Sequence, residues 1–256
     1  MMMDPERLEA AVTDRTRAVV PVHLNGFPCD LDAIRAICRR HDLDLIEDCA
    51  QAIGTHHRGE PVGRTDLGAF SLHPLKVLSA CGDAGFVTAQ TDEEARKLRE
   101  LRNNGHESRD RVRWISRNSR LDTLQAAILL VKIDHLEDWI EARRRHARAY
   151  REALPDELVM PPEETDGDRS IYSMFVVRHP QRDALHRRLR QRGIDVKIHY
   201  PLGIHQQEPF QRFAPPELPV TERVVSRILS LPVSPELQAD QRDRIVAALT
   251  EELESL

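Results

Sequence analysis

The sequence predicts an α/β protein with a mostly parallel sheet, followed by a smaller α+β domain. Short apolar, β-branched runs alternate with helical patterns through the first half, and this β-α-β rhythm is typical of parallel sheets covered by helices. A proline-rich, acidic stretch at 155–170 then precedes a shorter α+β pattern. We expect a large domain over residues 1–135, with a connecting helix and the smaller domain over 136–256.

The first half supplies the elements of the large domain. The apolar segment RAVVPVHL (17–24) predicts a strand that is buried on both faces. Apolar residues at helical spacing predict a helix over 30–42, with Asp30 as its N-cap. Further strands are predicted at 43–50, 68–74 and 85–90, and further helices at 91–105 and 121–154. The last helix is long for a globular protein, so it either contains a break or bridges two parts of the molecule.

The second half predicts a small α+β domain. Strands are expected at 171–179 and 195–201, with a helix at 181–193 between them and an amphipathic helix from 238 to the end.

Composition excludes several classes of protein. The chain has 37 Lys and Arg against 42 Asp and Glu, a net charge of -5, so we expect no nucleic-acid partner. It has no apolar stretch of membrane-spanning length and no signal-peptide core at its start, so we expect a cytoplasmic protein without a membrane partner. The four cysteines form no CxxC pair and no zinc spacing, so we predict no metal site.

Two charged residues follow predicted strands of the large domain. Asp48 ends the strand that begins at 43, and Lys76 lies just beyond the strand that begins at 68. Ligands bind beyond the carboxyl ends of parallel strands, so a carboxylate and an amine presented there could bind one small molecule. Taken singly, each has an ordinary interpretation, as a helix cap for Asp48 and as a solvated charge for Lys76.

The motifs around these residues resemble those of the DegT/StrS-type sugar aminotransferases, fold-type I enzymes that depend on pyridoxal phosphate (PLP). The similar segments follow the family's order along nearly the whole chain: VVPVHLNGFPCDLDAI, EDCAQAIG, FSLHPLK, GDAG, LRNNG, RNSRLDTLQAA, KIHYPLGIH and LSLPVSPEL. The resemblance implies a fold-type I large domain and transamination of a keto sugar, carried on a nucleotide, with glutamate or glutamine as amino donor. Such enzymes serve amino-sugar biosynthesis for antibiotics or polysaccharides.

The resemblance also implies roles for five residues of the large domain. Lys76 would bond covalently to the PLP aldehyde and carry a proton during the reaction, and Asp48 would keep the pyridine nitrogen protonated. Gln51 would lie near the ring face or its phenolic oxygen, and Ser71 would hydrogen-bond the phosphate. Asn118 corresponds to a phosphate contact from the neighbouring subunit, so the resemblance implies a homodimer with shared active sites.

Four positions bear on the substrate. His199, Tyr200 and His205 would lie near the sugar by the same resemblance, although a hydrogen-bonded strand and turn explains them equally well. Some relatives have histidine in place of the lysine and dehydrate the sugar. Lys76 therefore favours transamination, and a PLP-dependent sugar dehydratase is the weaker alternative.

The chain departs from the family at its start. Its first residues match an internal stretch of the family pattern, so we expect it to lack the N-terminal segment and the Gly-Thr or Gly-Ser turn that holds the cofactor phosphate. A start assigned too late, a gene remnant and a segment supplied by another chain all explain this. Without that turn the chain would bind PLP less tightly. A second hypothesis is therefore an inactive homologue that acts as a binding or regulatory subunit.

Overall fold

The computed structural model describes residues 1–165, 167–213 and 217–256, which divide into two compact units. The large unit comprises Met2–Asp138 and Glu164–Ile171. The small unit comprises Trp139–Glu163 and Tyr172–Leu256, together with Met1. None of the helices in the described ranges is long and apolar enough to cross a bilayer.

The large unit is built on a four-stranded, mostly parallel sheet. In all, the structure describes these strands in the large unit: β1 (Ala18–Val19), β2 (Asp44–Asp48), β3 (His56–His57), β4 (Glu60–Pro61), β5 (Leu67–Ser71), β6 (Gly85–Val87), β7 (His106–Ser108) and β8 (Arg111–Val112). The sheet has the order β1-β2-β5-β6, in which the first three strands are parallel and β6 is antiparallel to β5. This order confirms the predicted fold class. The short strands β3 with β4 and β7 with β8 form separate two-stranded ribbons.

Three of the four helices that the structure describes in the large unit begin after a residue whose side chain caps the first turn. The four helices are α1 (Pro5–Ala11), α2 (Leu31–His41), α3 (Asp92–Arg102) and α4 (Thr123–Lys132). The Asp30 carboxylate accepts the Ala33 N–H at 3.1 Å and caps α2, as the sequence predicts. Thr91 and Glu94 form a capping box at the start of α3.

The predicted strand at 17–24 is wrong over most of its length. Only Ala18–Val19 is a strand, followed by a single bridge between Val22 and Asp48 and a 3-10 turn at Leu24–Gly26. Pro21 has no N–H, so the ladder cannot continue regularly, although its carbonyl still accepts the Asp48 N–H at 2.9 Å.

Residues 164–171 return to the large unit after the chain has entered the small one. Arg169 and His56 exchange both backbone hydrogen bonds at 3.0 Å, and the Ile171 N–H donates to the Gly26 carbonyl at 3.2 Å. The Asp168 carboxylate lies 3.0 Å from Nδ1 of the buried His57 ring. This segment therefore completes β3 from a distant part of the sequence.

The long helical pattern at 121–154 is interrupted, as predicted. A single 3-10 turn at Ile133–His135 separates α4 from α5 (Leu136–Ala153). Residues of α5 from Trp139 onward belong to the small unit.

The small unit packs helices on a two-stranded antiparallel sheet. Besides α5 it contains β9 (Phe175–Arg178), α6 (Arg182–Gln191), α7 (Glu208–Gln211), α8 (Pro219–Val225), β10 (Ile228–Leu231) and α9 (Ala239–Glu254). The rings of the fully buried Tyr150 and Phe175 lie 5.1 Å apart at the centre of its core. The Tyr150 hydroxyl donates to the Pro232 carbonyl at 2.8 Å.

The predicted strand at 195–201 is also wrong. Of these residues only Lys197 pairs, through two backbone hydrogen bonds with Ser230 of β10. Lys197 is held by this single bridge, and the residues on either side of it have no strand partner in the described part of the chain, so the segment does not lengthen the sheet. The strand beside β9 is β10, which overlaps the start of the LSLPVSPEL motif.

Candidate active site

The candidate site lies at the carboxyl ends of two neighbouring parallel strands. Asp48 is the last residue of β2, and Ser71 is the last residue of β5. Asp48 is aligned with Ala69, so both strands end at the same edge of the sheet. The structure therefore brings Asp48 and Ser71 to one edge, where ligands of open α/β sheets bind.

Asp48 is held by its backbone and presents a half-buried carboxylate. Its N–H donates to the Pro21 carbonyl at 2.9 Å, and its carbonyl accepts the His23 N–H at 3.1 Å. Among the described residues, its carboxylate accepts one hydrogen bond, from the Ala50 N–H at 3.0 Å. The carboxylate therefore keeps capacity for a further donor.

Gln51 is fixed by a turn that the sequence reasoning did not assign to the site. Its Oε1 accepts the Asn25 N–H at 2.6 Å, and the nearby Thr55 hydroxyl donates to the Gly26 carbonyl at 2.9 Å. Asn25 and Gly26 have φ angles of 60° and 85°. The Asn-Gly pair is a sequence signal for such a turn, because both residues tolerate positive φ.

Lys76 lies on the loop that joins β5 to β6. The loop is closed at its base, where the Leu72 N–H donates to the Ala84 carbonyl and the Ala80 N–H donates to the Leu72 carbonyl, both at 2.8 Å. The Lys76 N–H donates to the His73 carbonyl at 2.8 Å. Within the described ranges, no hydrogen bond or ion pair joins the half-buried Lys76 ammonium to a protein group, Asp48 included.

Asn118 is not joined to this edge by any contact of the described residues. It is exposed, forms an isolated bridge with Asn103, and its Oδ1 accepts the Arg120 N–H at 3.1 Å. Its predicted role toward a second subunit stays a prediction.

The three residues predicted to contact substrate lie in the small unit. Nδ1 of His199 is 2.9 Å from the hydroxyl of the buried Ser230, and Nε2 of His205 is 3.1 Å from the Glu222 carboxylate. Burial, aided by the charge of Lys197, lowers the pKa of His199. Tyr200 is about half exposed, and its ring meets the His199 ring edge-on. Each histidine is therefore oriented through one ring nitrogen.

A buried polar network lies on β2 immediately before Asp48. Nε2 of the fully buried His23 is 2.9 Å from Oε2 of Glu47, which also accepts the Gly63 N–H at 2.7 Å. Nδ1 of His23 accepts the Cys29 N–H at 3.0 Å, so the ring proton lies on Nε2 and is donated to Glu47. Arg35 approaches the other Glu47 oxygen at 3.4 Å. The sequence reasoning missed this network.

The same place offers the atoms of a possible metal site, but their chemistry does not favour one. One donor atom each from His23, Glu47 and Cys49 lie within 4.8 Å of one another. Nε2 of His23 and the Glu47 carboxylate already bond to each other, and burial raises the pKa of the Cys49 thiol. A cation would therefore have to displace a satisfied hydrogen bond and deprotonate a thiol that burial keeps neutral.

Comparisons with known proteins give a consistent picture. A statistical model of the DegT/DnrJ/EryC1/StrS aminotransferase family matches residues 1–250. The chain is 42% identical over 271 aligned positions to the dTDP-3-amino-3,4,6-trideoxy-alpha-D-glucose transaminase of Micromonospora megalomicea subsp. nigra. That match covers 100% of this chain and 71% of the relative.

Solved structures agree with this match. The crystal structure of S. venezuelae DesV in complex with a ketimine intermediate has a TM-score of 0.96 and 39% identity, covering 99% of this chain and 69% of DesV. The structure of Bacillus subtilis NtdA with bound cofactor PMP has a TM-score of 0.91 and 27% identity, covering 99% of this chain and 60% of NtdA.

Proposed function

The chain belongs to the DegT/DnrJ/EryC1/StrS aminotransferase family, and from this premise we propose that it transfers an amino group to a nucleotide-linked keto sugar with PLP as cofactor. An amino acid such as glutamate or glutamine would be the donor. The observation that carries the proposal is the parallel pairing of β2 with β5. It places Asp48 and Ser71 at the same edge of the sheet, where the loop that contains Lys76 begins. The similarity to a dTDP-sugar transaminase supports the substrate class.

The side chains at this edge fit the cofactor. PLP carries an aldehyde, a basic ring nitrogen and a phosphate, and it is therefore complementary to an amine, a carboxylate and a hydroxyl. Lys76 has an amine that is not engaged by described residues, and the Asp48 carboxylate has spare accepting capacity. The Ser71 hydroxyl oxygen lies at the strand end, where the one hydrogen bond it accepts from the described residues is a long one, 3.4 Å from the His73 N–H.

The roles of the residues follow from these groups. When bound, PLP supplies an aldehyde that exchanges oxygen for an amino group and a ring that accepts electrons. Nζ of Lys76 would hold the cofactor covalently, and after displacement by the donor it would move a proton to or from the reacting carbon. Asp48 would hold a proton on the ring nitrogen, and Ser71 would donate to the phosphate. Gln51, fixed by Asn25, would border the ring.

In the small unit, His199 and His205 would contact the sugar through the ring nitrogens that Ser230 and Glu222 do not engage. Tyr200, whose side chain is exposed, would lie beside them.

Asp48→Asn provides the test of the proposed chemistry. The purified chain, PLP, glutamate and a dTDP-keto sugar should yield an amino sugar that mass spectrometry detects. We expect Asp48→Asn to lower kcat about 10²-fold or more, because the amide cannot hold the ring proton by charge. Asp44→Asn, an exposed position on the same strand, is the matched control and should keep full activity. Cofactor binding without any amino sugar from the unsubstituted chain would contradict the proposed function.

We also propose that the chain forms a homodimer in which Asn118 reaches the partner's cofactor phosphate. The proposal is supported by α4, which leaves Leu124, Leu130 and Val131 exposed at 70%, 72% and 66%. Such a cluster of large apolar side chains on one helix marks an interaction surface. The exposed Asn118 lies shortly before α4 in the chain, so both belong to one continuous stretch.

Sedimentation velocity tests the dimer. The unsubstituted chain should sediment as about twice its 29.3 kDa, and Leu130→Asp should shift it toward the monomer because a carboxylate would be buried in an apolar contact. Val159→Asp, at a half-exposed residue of the small unit outside both α4 and the Lys76 loop, is the control and should leave the dimer intact. A monomeric unsubstituted chain would refute the arrangement.

A further inference from the structure

The Arg143 guanidinium, on α5 in the small unit, forms no ion pair with any residue that the structure describes. Its Nη1 donates long hydrogen bonds to the carbonyls of Tyr172 and Ser173, at 3.4 and 3.3 Å. Its Nε is buried and has no hydrogen-bond partner among the described residues. No carboxylate in the described ranges lies within ion-pair distance of it. Because arginine stays protonated in proteins, such a charge is costly unless an anion pairs with it.

Ser173 adds a second unused donor at the same place. Its carbonyl contacts the Arg143 guanidinium, and its hydroxyl is buried without a partner within the described part of the chain. The two groups come from separate elements, α5 and the segment before β9, so the fold itself sets them side by side. A buried N–H and a buried O–H on two contacting residues, both without an acceptor among the described residues, indicate a missing acceptor.

The surroundings are cationic. His146 lies one helical turn after Arg143, and its Nδ1 is likewise buried without a partner among the residues described. Burial and the charges of Arg242, Arg145 and Arg143 lower the pKa of His146. Burial also lowers the pKa of Arg143, and the charge of the exposed Glu236 acts in the opposite direction but does not cancel the effect of burial. The local field therefore favours an anion.

We propose that Arg143 and Ser173 form a binding site for a small carboxylate. The Nε–H and the N–H beside it form one edge of the guanidinium, which matches the two oxygens of a carboxylate, and the serine hydroxyl supplies a third donor. The guanidinium itself supplies one positive charge and matches a monoanion, whereas a dianionic phosphate would depend on charges outside the site for its second negative charge. The site uses none of the residues assigned to PLP or to the sugar, so it does not depend on the proposed transamination.

Thermal unfolding in sodium acetate tests the site, with sodium chloride at equal ionic strength as the reference. Acetate should raise the melting temperature of the unsubstituted chain in a concentration-dependent way, because it binds only the folded state. Arg143→Met should remove this shift while melting in chloride at the same or a higher temperature, since an unpaired buried charge is replaced by an apolar group of similar length. Ser173→Ala should weaken acetate binding roughly two- to tenfold.

Arg145→Met is the matched control, because Arg145 lies on the same helix with its side chain exposed. It should keep the full acetate shift. The proposal is overturned if acetate does not stabilise the unsubstituted chain, or if Ser173→Ala and Arg143→Met respond to acetate as that chain does. Stronger stabilisation by inorganic phosphate than by acetate would overturn the assignment to a carboxylate.

Discussion

Lys76→Ala is expected to lower kcat for sugar transamination about 10⁴-fold and to remove the visible absorbance of the lysine-bound cofactor. The variant loses both the atom that bonds to PLP and the base that moves the proton at the reacting carbon. Stopped assays with a dTDP-keto sugar give kcat, and an absorption spectrum of the protein after removal of free PLP reports the bond.

A second substitution at Lys76 distinguishes the role of the amine as a nucleophile from the role of its charge, and a substitution at another lysine is the control. Lys76→Arg keeps a positive charge on the loop but cannot act as the nucleophile, so it should be as inactive as the alanine variant. Lys97→Ala removes an exposed lysine of α3 and should leave both readouts unchanged. Retention of the absorbance band in either Lys76 variant would show that another group binds the cofactor.

Glu47→Ala is expected to lower the free energy of unfolding by about 3–5 kcal/mol, the range for breaking a buried ion pair. Glu47 is fully buried, and its carboxylate accepts from His23, Gly63 and Arg35. Its loss would leave the His23 Nε2–H and the Gly63 N–H without their acceptor in the core, whereas Arg35 would keep its 2.7 Å hydrogen bond to Asp66. Urea unfolding measures the change.

Asp44→Asn on the same strand is the control for Glu47→Ala, because its side chain is exposed and should change stability by no more than about 0.5 kcal/mol. Equal stability of the Glu47 and Asp44 variants would mean that the buried network does not stabilise the sheet.

The stability that Glu47 confers should depend on pH in a defined direction. Burial alone would raise its pKa, but hydrogen bonds from His23 and the Gly63 N–H outweigh burial and hold the pKa below the ordinary value of 4.5. The folded protein therefore favours the ionised form. The stabilisation is complete above about pH 4.5 and is lost as the pH falls through the lowered value. The difference between the unsubstituted chain and Glu47→Gln should shrink over that acidic range.

Local signals allowed much of the fold to be predicted. The cap at Asp30 and the start of the helix predicted from residue 91 are each encoded within a few residues, and the structure confirms both. The break at Ile133–His135 is one of the two alternatives that the length of the 121–154 pattern left open. The predictions of continuous strands at 17–24 and 195–201 are wrong, because apolar and β-branched composition does not reveal which residues find a partner strand.

Long-range pairing explains what the sequence could not provide. The rule that parallel strands end at one edge placed Asp48 beside the end of β5, and the structure agrees. The partners His23 and Glu47 are 24 positions apart, and Arg143 meets Ser173 across 30, so no periodic pattern connects them. The roles of Asn118 and of the small-unit histidines rest on the family resemblance, because no local pattern in the sequence connects them to the strand ends of the large unit.

Because residues 164–171 return to β3, the large unit is formed by two separate segments of the sequence. In a fragment that ended at Asp138, His56 would lose its backbone hydrogen bonds with Arg169, and His57 would lose its contact with the Asp168 carboxylate. Autonomous expression of the first half would therefore require this peptide to be supplied in trans, or grafted onto its end through a designed connection.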